Sequence, residues 1–314
     1  MAFQWFPGHM HKTRKEIAQV IAKIDVVVEM LDARLPCSSS NPLVDQLRGD
    51  TPVIKVLNKA DLADAGRTRK WLKFLAADDV HTMSMRLADK GELRQLVALI
   101  RQLAPHRISA ERPVRVMIMG IPNVGKSTLI NSFLGRRVAK VGNEPAVTKQ
   151  QQRFVTQDGI AIFDTPGILW PKIEDEDASY RLAASGAIRD TVVEYELVAL
   201  YALDFLLRDY PQLIAQRYKA DELPANASDA LELVGRKRGC LRSGGVVDRN
   251  KAAELLIGEL RSGQLGRISF ETVGEWQQKR ARAERERMAA EAEQDNYSAA
   301  AENTPSAPGE HHES

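Results

Sequence analysis

From Asp25 onward, short apolar runs alternate with stretches of helical periodicity. DVVVEMLDAR, TPVIKVLNKADL and VHTMSM each read as a strand buried on both faces. Between them, GRTRKWLKFLAA and KGELRQLVALIRQLA repeat their apolar residues at helical spacing, which predicts a parallel sheet built from β/α units. After PHRISAERP, the run VRVMIMG leads into a glycine-containing turn, and QQRFVTQDGIAIFDTPG reads as a hairpin-like strand pair that closes the unit near Gly167. Past Trp170 the strand signals fade. Helical periodicity dominates from Ala178 to about Leu260, with breaks at Pro211, Pro224 and Gly244–Gly245. The predicted division is an N-terminal segment with a helix (1–24), an α/β domain (25–170), an all-helical domain (171–275) and a charged tail (276–314). The tail segment QQKRARAERERMAAEAEQ reads as a solvated helix fraying into disorder.

Composition fits this division. The 314 residues hold about two domains at ~150 residues each. A hydrophobic fraction of 44% supplies real cores. Charge nearly cancels at +2, so affinity for nucleic acid has to come from local basic patches rather than a global field. Two isolated cysteines, Cys37 and Cys240, exclude a disulfide framework or a cysteine-based zinc site and suit a reducing compartment. MAFQWFPGHMHKTRKEI has no continuous apolar run of the signal-peptide kind, and TVVEYELVALYALDFLL is interrupted by Glu194, Glu196 and Asp204. A cytoplasmic protein with no membrane attachment is expected.

The strongest chemical signal is GIPNVGKS, Gly120 to Ser127, which fits G-x-x-x-x-G-K-[ST] between a predicted strand and a predicted helix. Gly125 lets the backbone approach phosphate oxygens, and successive N–H groups at the helix start supply positive potential. Asn123, Val124, Gly125, Lys126, Ser127 and Thr128 are therefore candidate nucleotide contacts. Lys126 is expected to reach the β/γ-phosphates and Ser127 to hold Mg²⁺.

The base is read elsewhere. NKAD, Asn58 to Asp61, directly follows the apolar run VIKVL, at the edge of the sheet where ligands of open α/β folds bind. An ionised Asp61 only accepts hydrogen bonds, which suits the adjacent N1–H and amine donors of guanine and not adenine. Asn58 is expected to bridge base and phosphate loop, and the stem of Lys59 to cover the flat face of the base, with Ala60 between. DTPG, Asp164 to Gly167, ends a further strand; Asp164 is placed to hold Mg²⁺ through water and the Gly167 amide to meet a γ-phosphate. Thr148, in NEPAVTKQ, is the candidate hydroxyl that completes Mg²⁺ coordination with GTP.

NKAD, phosphate loop, Thr148 and DTPG are similar to the G4, G1, G2 and G3 motifs of translation-factor-type GTPases, but in circularly permuted order. The expected fold is thus a P-loop GTPase fold in the order G4-G5-G1-G2-G3, followed by the helical domain. With FPGHM near the start, DARLP at Asp32 to Pro36 and LGRISFE at Leu265 to Glu271, the chain resembles the ribosome-biogenesis GTPase A family from about Phe6 to Glu271. The MSMR stretch, with Met83 and Ser84, stands loosely where a further guanine-loop contact is expected, after the strand beginning near Val80. Ala146 replaces a frequent glycine of the family, which makes the loop carrying Thr148 less permissive of positive φ.

The resemblance also implies partners and roles. Ile168 occupies the position where Ras-like enzymes orient the attacking water with Gln, so intrinsic turnover should be slow. The resemblance points to His9 for positioning that water; its other reading is packing of the N-terminus through Trp5, Phe6 and Pro7. Asn123 stands where related GTPases help to hold K⁺, or is simply a turn-forming residue. Basic residues cluster at Lys12, Arg14 and Lys15 and again at Arg236, Lys237, Arg238 and Arg242; each cluster is a solvated face or, as the resemblance implies, a contact to ribosomal RNA. The implied function is a GTPase acting in assembly of the large ribosomal subunit; a monomer is expected, though no motif in the sequence bears on the oligomeric state. The alternative is an RNA-docking placeholder for which GTP sets affinity and hydrolysis is incidental. A membrane-linked switch lacks any lipidation motif or anchoring segment.

Overall fold

The structure, a computed structural model, describes residues 20–86, 89–107, 112–135, 152–156, 158–164, 175–188 and 194–302, with the backbone alone for Leu43, His106, Gln152, Asp164 and residues 290–302. The apolar runs of the sequence are its strands: β1 (Val26–Asp32), β2 (Val53–Asn58), β3 (Val80–Met85), β4 (Val114–Gly120), β5 (Gln152–Val155) and β6 (Ile160–Asp164). They form a single sheet in the order β3-β2-β1-β4-β6-β5, with β5 alone antiparallel, to β6.

Parallel strands need both faces covered, which explains why these runs are mostly apolar; of the charges that β1 and β2 do bury, Glu29 and Lys55 pair with each other at 3.0 Å. On one face Val28, Met30, Ile54, Val116, Ile118 and Ile162 meet α4 (Lys90–Leu103) and α5 (Lys126–Leu134) through Leu96, Ile100, Leu129 and Ile130. On the other, Val27, Val53, Met117 and Met119 pack with Ile21, Ile24 and Val44. Each aliphatic side chain fully buried in this way contributes about 1.5–3 kcal/mol.

Two short helices, α1 (Pro36–Ser39) and α2 (Pro42–Arg48), follow β1; neither is long enough to show a helical period, and the sequence pattern did not predict them. α3 (Ala65–Leu75) does, and starts on Asp64, whose carboxylate accepts from Arg67 N–H.

Beyond β6 come α6 (Glu176–Ser185), α7 (Tyr195–Asp209), α8 (Pro211–Tyr218), α9 (Ala227–Arg238) and α10 (Arg249–Arg261). Pro211 starts α8, where its missing N–H is harmless, and so ends α7. The buried faces of these helices, Leu182, Leu203, Leu206, Leu231 and Leu256 among them, belong to the same apolar core as the sheet. This region is helical, as the sequence pattern predicts; between α9 and α10 the chain makes a small hairpin closed by an isolated β-bridge from Leu241 to Val247. Through Glu271 the chain forms one compact unit; Thr272 onward forms a second, which holds α11 (Val273–Glu302). The side chains of α11 from Gln277 to Met288 are exposed, as a helix polar on all sides requires. Among the described residues no helix is long and apolar enough to cross a membrane.

Candidate nucleotide site

Strand register brings the two main motifs together. Asp32 lies opposite Asn58, Asn58 opposite Met85, Met30 opposite Gly120 and Ile118 opposite Asp164, so the carboxyl ends of all five parallel strands share one edge. β1 and β4 are central neighbours from which the sheet runs outward in opposite directions, and the crevice at such a switch point is where open α/β sheets bind ligands.

The phosphate loop is shaped by three left-handed residues, Gly120 (φ +145°), Asn123 (φ +56°) and Gly125 (φ +108°). At Gly120 glycine is obligatory, because a Cβ would stand 2.5 Å from the Met30 carbonyl oxygen. Gly125 caps α5 without any side-chain hydrogen bond, and the first-turn N–H groups of a helix, here those of Ser127 and Thr128, have no acceptor within the helix and suit an anion. Lys126 is buried, and its ammonium donates to the carbonyls of Gly120 (3.0 Å) and Ile121 (2.8 Å), across the loop that it serves.

Asn58, expected to bridge base and phosphate loop, reaches the loop: its side-chain amide donates to the Val124 carbonyl at 2.7 Å, and both residues are buried. The base-reading loop is tied down at each side, by Ala33 N–H to Asn58 O (2.8 Å) and Ala60 N–H to Met85 O (3.3 Å). Lys59 adopts φ +59° and Asp61 is exposed at the loop's rim. Met83 and Ser84 lie inside β3 and not after it; β3 continues to Met85 because its pairing with β2 runs to Asn58, so the loop at its carboxyl end starts at Arg86.

Asp32 and Arg34, and their tie to Lys59 of this loop, escaped the sequence reading. Asp32 accepts from Arg34 Nε (2.9 Å) and Nη2 (2.7 Å) and from Lys59 Nζ (3.0 Å). Burial alone would raise the Asp32 pKa, but Arg34 and Lys59 together hold it well below the carboxylate range. Burial also lowers the Lys59 pKa, against the pull of Asp32. DARLP hints at the pair alone, an Asp at the end of a strand with an Arg two residues on, and says nothing of Lys59 or of burial.

LGRISFE is a strap across the same loops. Ile268 N–H donates to Leu62 O (2.9 Å), Asp64 N–H to the Ser269 hydroxyl (3.1 Å) and Phe270 N–H to Arg34 O (2.7 Å). The Glu271 carboxylate accepts from the N–H groups of Cys37 (2.7 Å) and Ser38 (3.0 Å) at the start of α1, and from the Ser38 hydroxyl. Burial raises its pKa in spite of Arg181 and these donors. The fully buried Trp71 donates to Glu271 O at 3.2 Å.

Asn123, read as a K⁺ ligand or turn residue, directs its amide nitrogen at the Gly186 carbonyl, 2.7 Å away at the end of α6. Of the Mg²⁺ candidates, Ser127 is on α5 and Asp164 ends β6; Thr148 and Gly167, with Ile168 and Ala146, lie outside the described residues, as do His9, Lys12, Arg14 and Lys15. The second basic cluster divides by commitment. Arg238 pairs with Glu259 (2.9 Å) over the Tyr218 ring and Arg242 pairs with Asp248 (3.0 Å), whereas Arg236 and Lys237 are exposed, Lys237 donating to Lys219 O at 3.0 Å.

The comparisons with known proteins agree with this geometry. The family described as "50S ribosome-binding GTPase" matches residues 115–223. Ribosome biogenesis GTPase A of Priestia megaterium is 40% identical over 286 residues, 88% of this chain and 99% of that protein. That of Thermotoga maritima is 34% identical over 267 residues, 85% of this chain and 93% of that one. Among solved structures, a GDP-bound structure described as TM YlqF superposes with a TM-score of 0.61 at 30% identity, covering 82% of this chain and 99% of that one. GNP-bound YlqF from T. maritima gives 0.59 at 30% identity, over 83% and 98%. With the base-reading strand β2 preceding the phosphate loop in the chain and meeting it in space, the protein belongs to the circularly permuted ribosome biogenesis GTPase A family.

Proposed function

We propose that this protein binds and hydrolyses GTP as an assembly factor of the large ribosomal subunit, docking on ribosomal RNA in a nucleotide-dependent way and working in the cytoplasm as a monomer. The observation that carries the reading is the 2.7 Å bond from Asn58 to Val124, which makes one site of the base reader and the phosphate loop. Asp61 accepts from the two guanine donors; the Lys59 stem, steadied at its ammonium by Asp32, covers the ring. Lys126 and the first-turn N–H groups of α5 oppose the charge of the β- and γ-phosphates.

The glycine-shaped loop and the uncapped start of α5 suit a triphosphate with its Mg²⁺, which Ser127, Thr148 and Asp164 would hold. Mg²⁺ so bound neutralises charge on the phosphate oxygens. In this reading His9 orients the attacking water, the Gly167 amide senses the γ-phosphate, and Asn123 contributes to a K⁺ site. Residues 25–170 are the GTPase domain and 171–275 the RNA-binding helical domain, with Lys12, Arg14, Lys15, Arg236, Lys237, Arg238 and Arg242 as RNA contacts.

The test is phosphate release from GTP and from ATP, with and without purified large ribosomal subunits, in KCl and in NaCl. Slow release from GTP alone, accelerated by the subunits and absent with ATP, is expected. Equal use of both nucleotides, or no response to subunits, overturns the reading.

A further inference from the structure

The hairpin between α9 and α10 has no role in nucleotide binding, and its surface is unusual. Residues 236–251 hold six cationic side chains and one carboxylate; Arg238, Arg242 and Arg249 pair with Glu259, Asp248 and Glu196, and Arg236, Lys237 and Lys251 are exposed. Its base is fixed: Cys240 and Val247 are buried, Asp248 N–H donates to Cys240 O (2.8 Å) and Arg242 N–H to Val246 O (2.8 Å). Gly235 of α9 is the seat, since a Cβ there would come within 2.3 Å of a Val247 methyl carbon.

The tip is the opposite. A Cβ at Gly244 (φ +85°) or Gly245 (φ +78°) would meet nothing within 4 Å, and the flanking Leu241 and Val246 are 47% and 65% exposed. Two of the six exposed large apolar side chains among the described residues sit on this one turn. Arg242 is spanned by the Asp248 carboxylate through Nε (3.0 Å) and Nη2 (3.2 Å), which fixes its guanidinium plane. Arg236 and Lys237 on α9 and Lys251 on α10 are exposed around the base.

Resting on the reading of the protein as a ribosomal RNA binder, we propose that this hairpin is the element that recognises RNA structure, by entering a loop or bulge whose bases are unstacked. Cations alone favour any phosphate backbone. Exposed apolar side chains and a fixed guanidinium plane on a rigid turn favour a nucleotide whose base face is open, which duplex RNA does not offer. Arg236 and Lys237 meet flanking phosphates, Leu241 and Val246 meet the base, and the side-chain-free tip lets the backbone come close.

The experiment measures binding of the full chain to purified large subunits, and to protein-free RNA extracted from them, across a salt series. The double variant Leu241→Ser/Val246→Ser is expected to bind both about tenfold more weakly with an unchanged salt slope, because only apolar contact is lost. Arg236→Gln/Lys237→Gln is expected to flatten the slope by about 1.5. GTP turnover without subunits should be the same in all of them, which controls for folding. Wild-type affinity of the Leu241/Val246 variant for both partners overturns the inference and leaves the broader reading intact. Weaker binding to subunits but not to free RNA assigns the hairpin to a ribosomal protein and also overturns it. A wild-type protein that binds neither partner overturns the broader reading itself.

Discussion

The side-chain amide of Asn123 in the phosphate loop donates to the main-chain carbonyl of Gly186 at 2.7 Å, joining the nucleotide site directly to the first helix of the helical region. Arg261 of α10 holds the same helix end through the carbonyls of Ala183 (2.8 Å) and Ala184 (3.2 Å). Amide exchange at Ala183–Gly186 is therefore expected to differ between GDP and a GTP analogue. Asn123→Ala should raise exchange there and abolish the difference. Identical exchange in both nucleotide states would show that the contact relays nothing.

Asp61 is exposed at the rim of the base loop, so replacing it should not disturb the fold. Asp61→Asn exchanges a pure acceptor for one acceptor and one donor. Affinity for GTP should fall ten- to a hundredfold, as expected for losing a charged hydrogen bond worth about 1.5–3 kcal/mol. Xanthosine triphosphate, which carries a carbonyl where guanine carries its amine, should gain. Titration calorimetry with both nucleotides reads the exchange, and an unaltered preference would remove Asp61 from base recognition.

Gly120→Ala tests the packing of β4 on β1. The new methyl would lie 2.5 Å from the Met30 carbonyl oxygen at a φ of +145°. Strain and overpacking together should cost at least about 2 kcal/mol. A lower midpoint of urea unfolding at unchanged slope is the expected result.

Glu259 lies among Arg217 (2.7 Å), Arg238 (2.9 Å) and the Tyr218 hydroxyl (2.9 Å). Burial pushes its pKa up, but these partners outweigh burial and bring it below the ordinary value. A carboxylate lowered in the folded state stabilises above its unfolded pKa of about 4.3, and that stabilisation is lost as pH falls through the folded value. The urea midpoint of the native protein should hold from pH 7 to about 5 and drop below about 4. Glu259→Gln should be less stable at pH 7 and show a shallower acid loss; an equal loss in both proteins would place the acid sensitivity elsewhere.

What the sequence by itself determined is whatever is encoded at short range. Alternating apolar runs and helical periods located the strands and longer helices, because each element's burial depends on its own spacing. The phosphate loop and NKAD were legible because glycine, lysine, asparagine and aspartate at those offsets serve a ligand whose chemistry is known in advance. Tertiary structure alone decided which distant groups meet. Asn58 reaches Val124 across 66 residues, and Ser269 reaches Asp64 across 205, only because sheet register and the packing of α7 and α10 deliver them there. No local period reports such a meeting, so the Asp32–Arg34–Lys59 cluster, the strap from Leu265 to Glu271 and the diversion of Asn123 toward Gly186 emerged only with the fold. Neutralising a buried charge is a condition on the assembled neighbourhood, not on the residue or its neighbours in sequence.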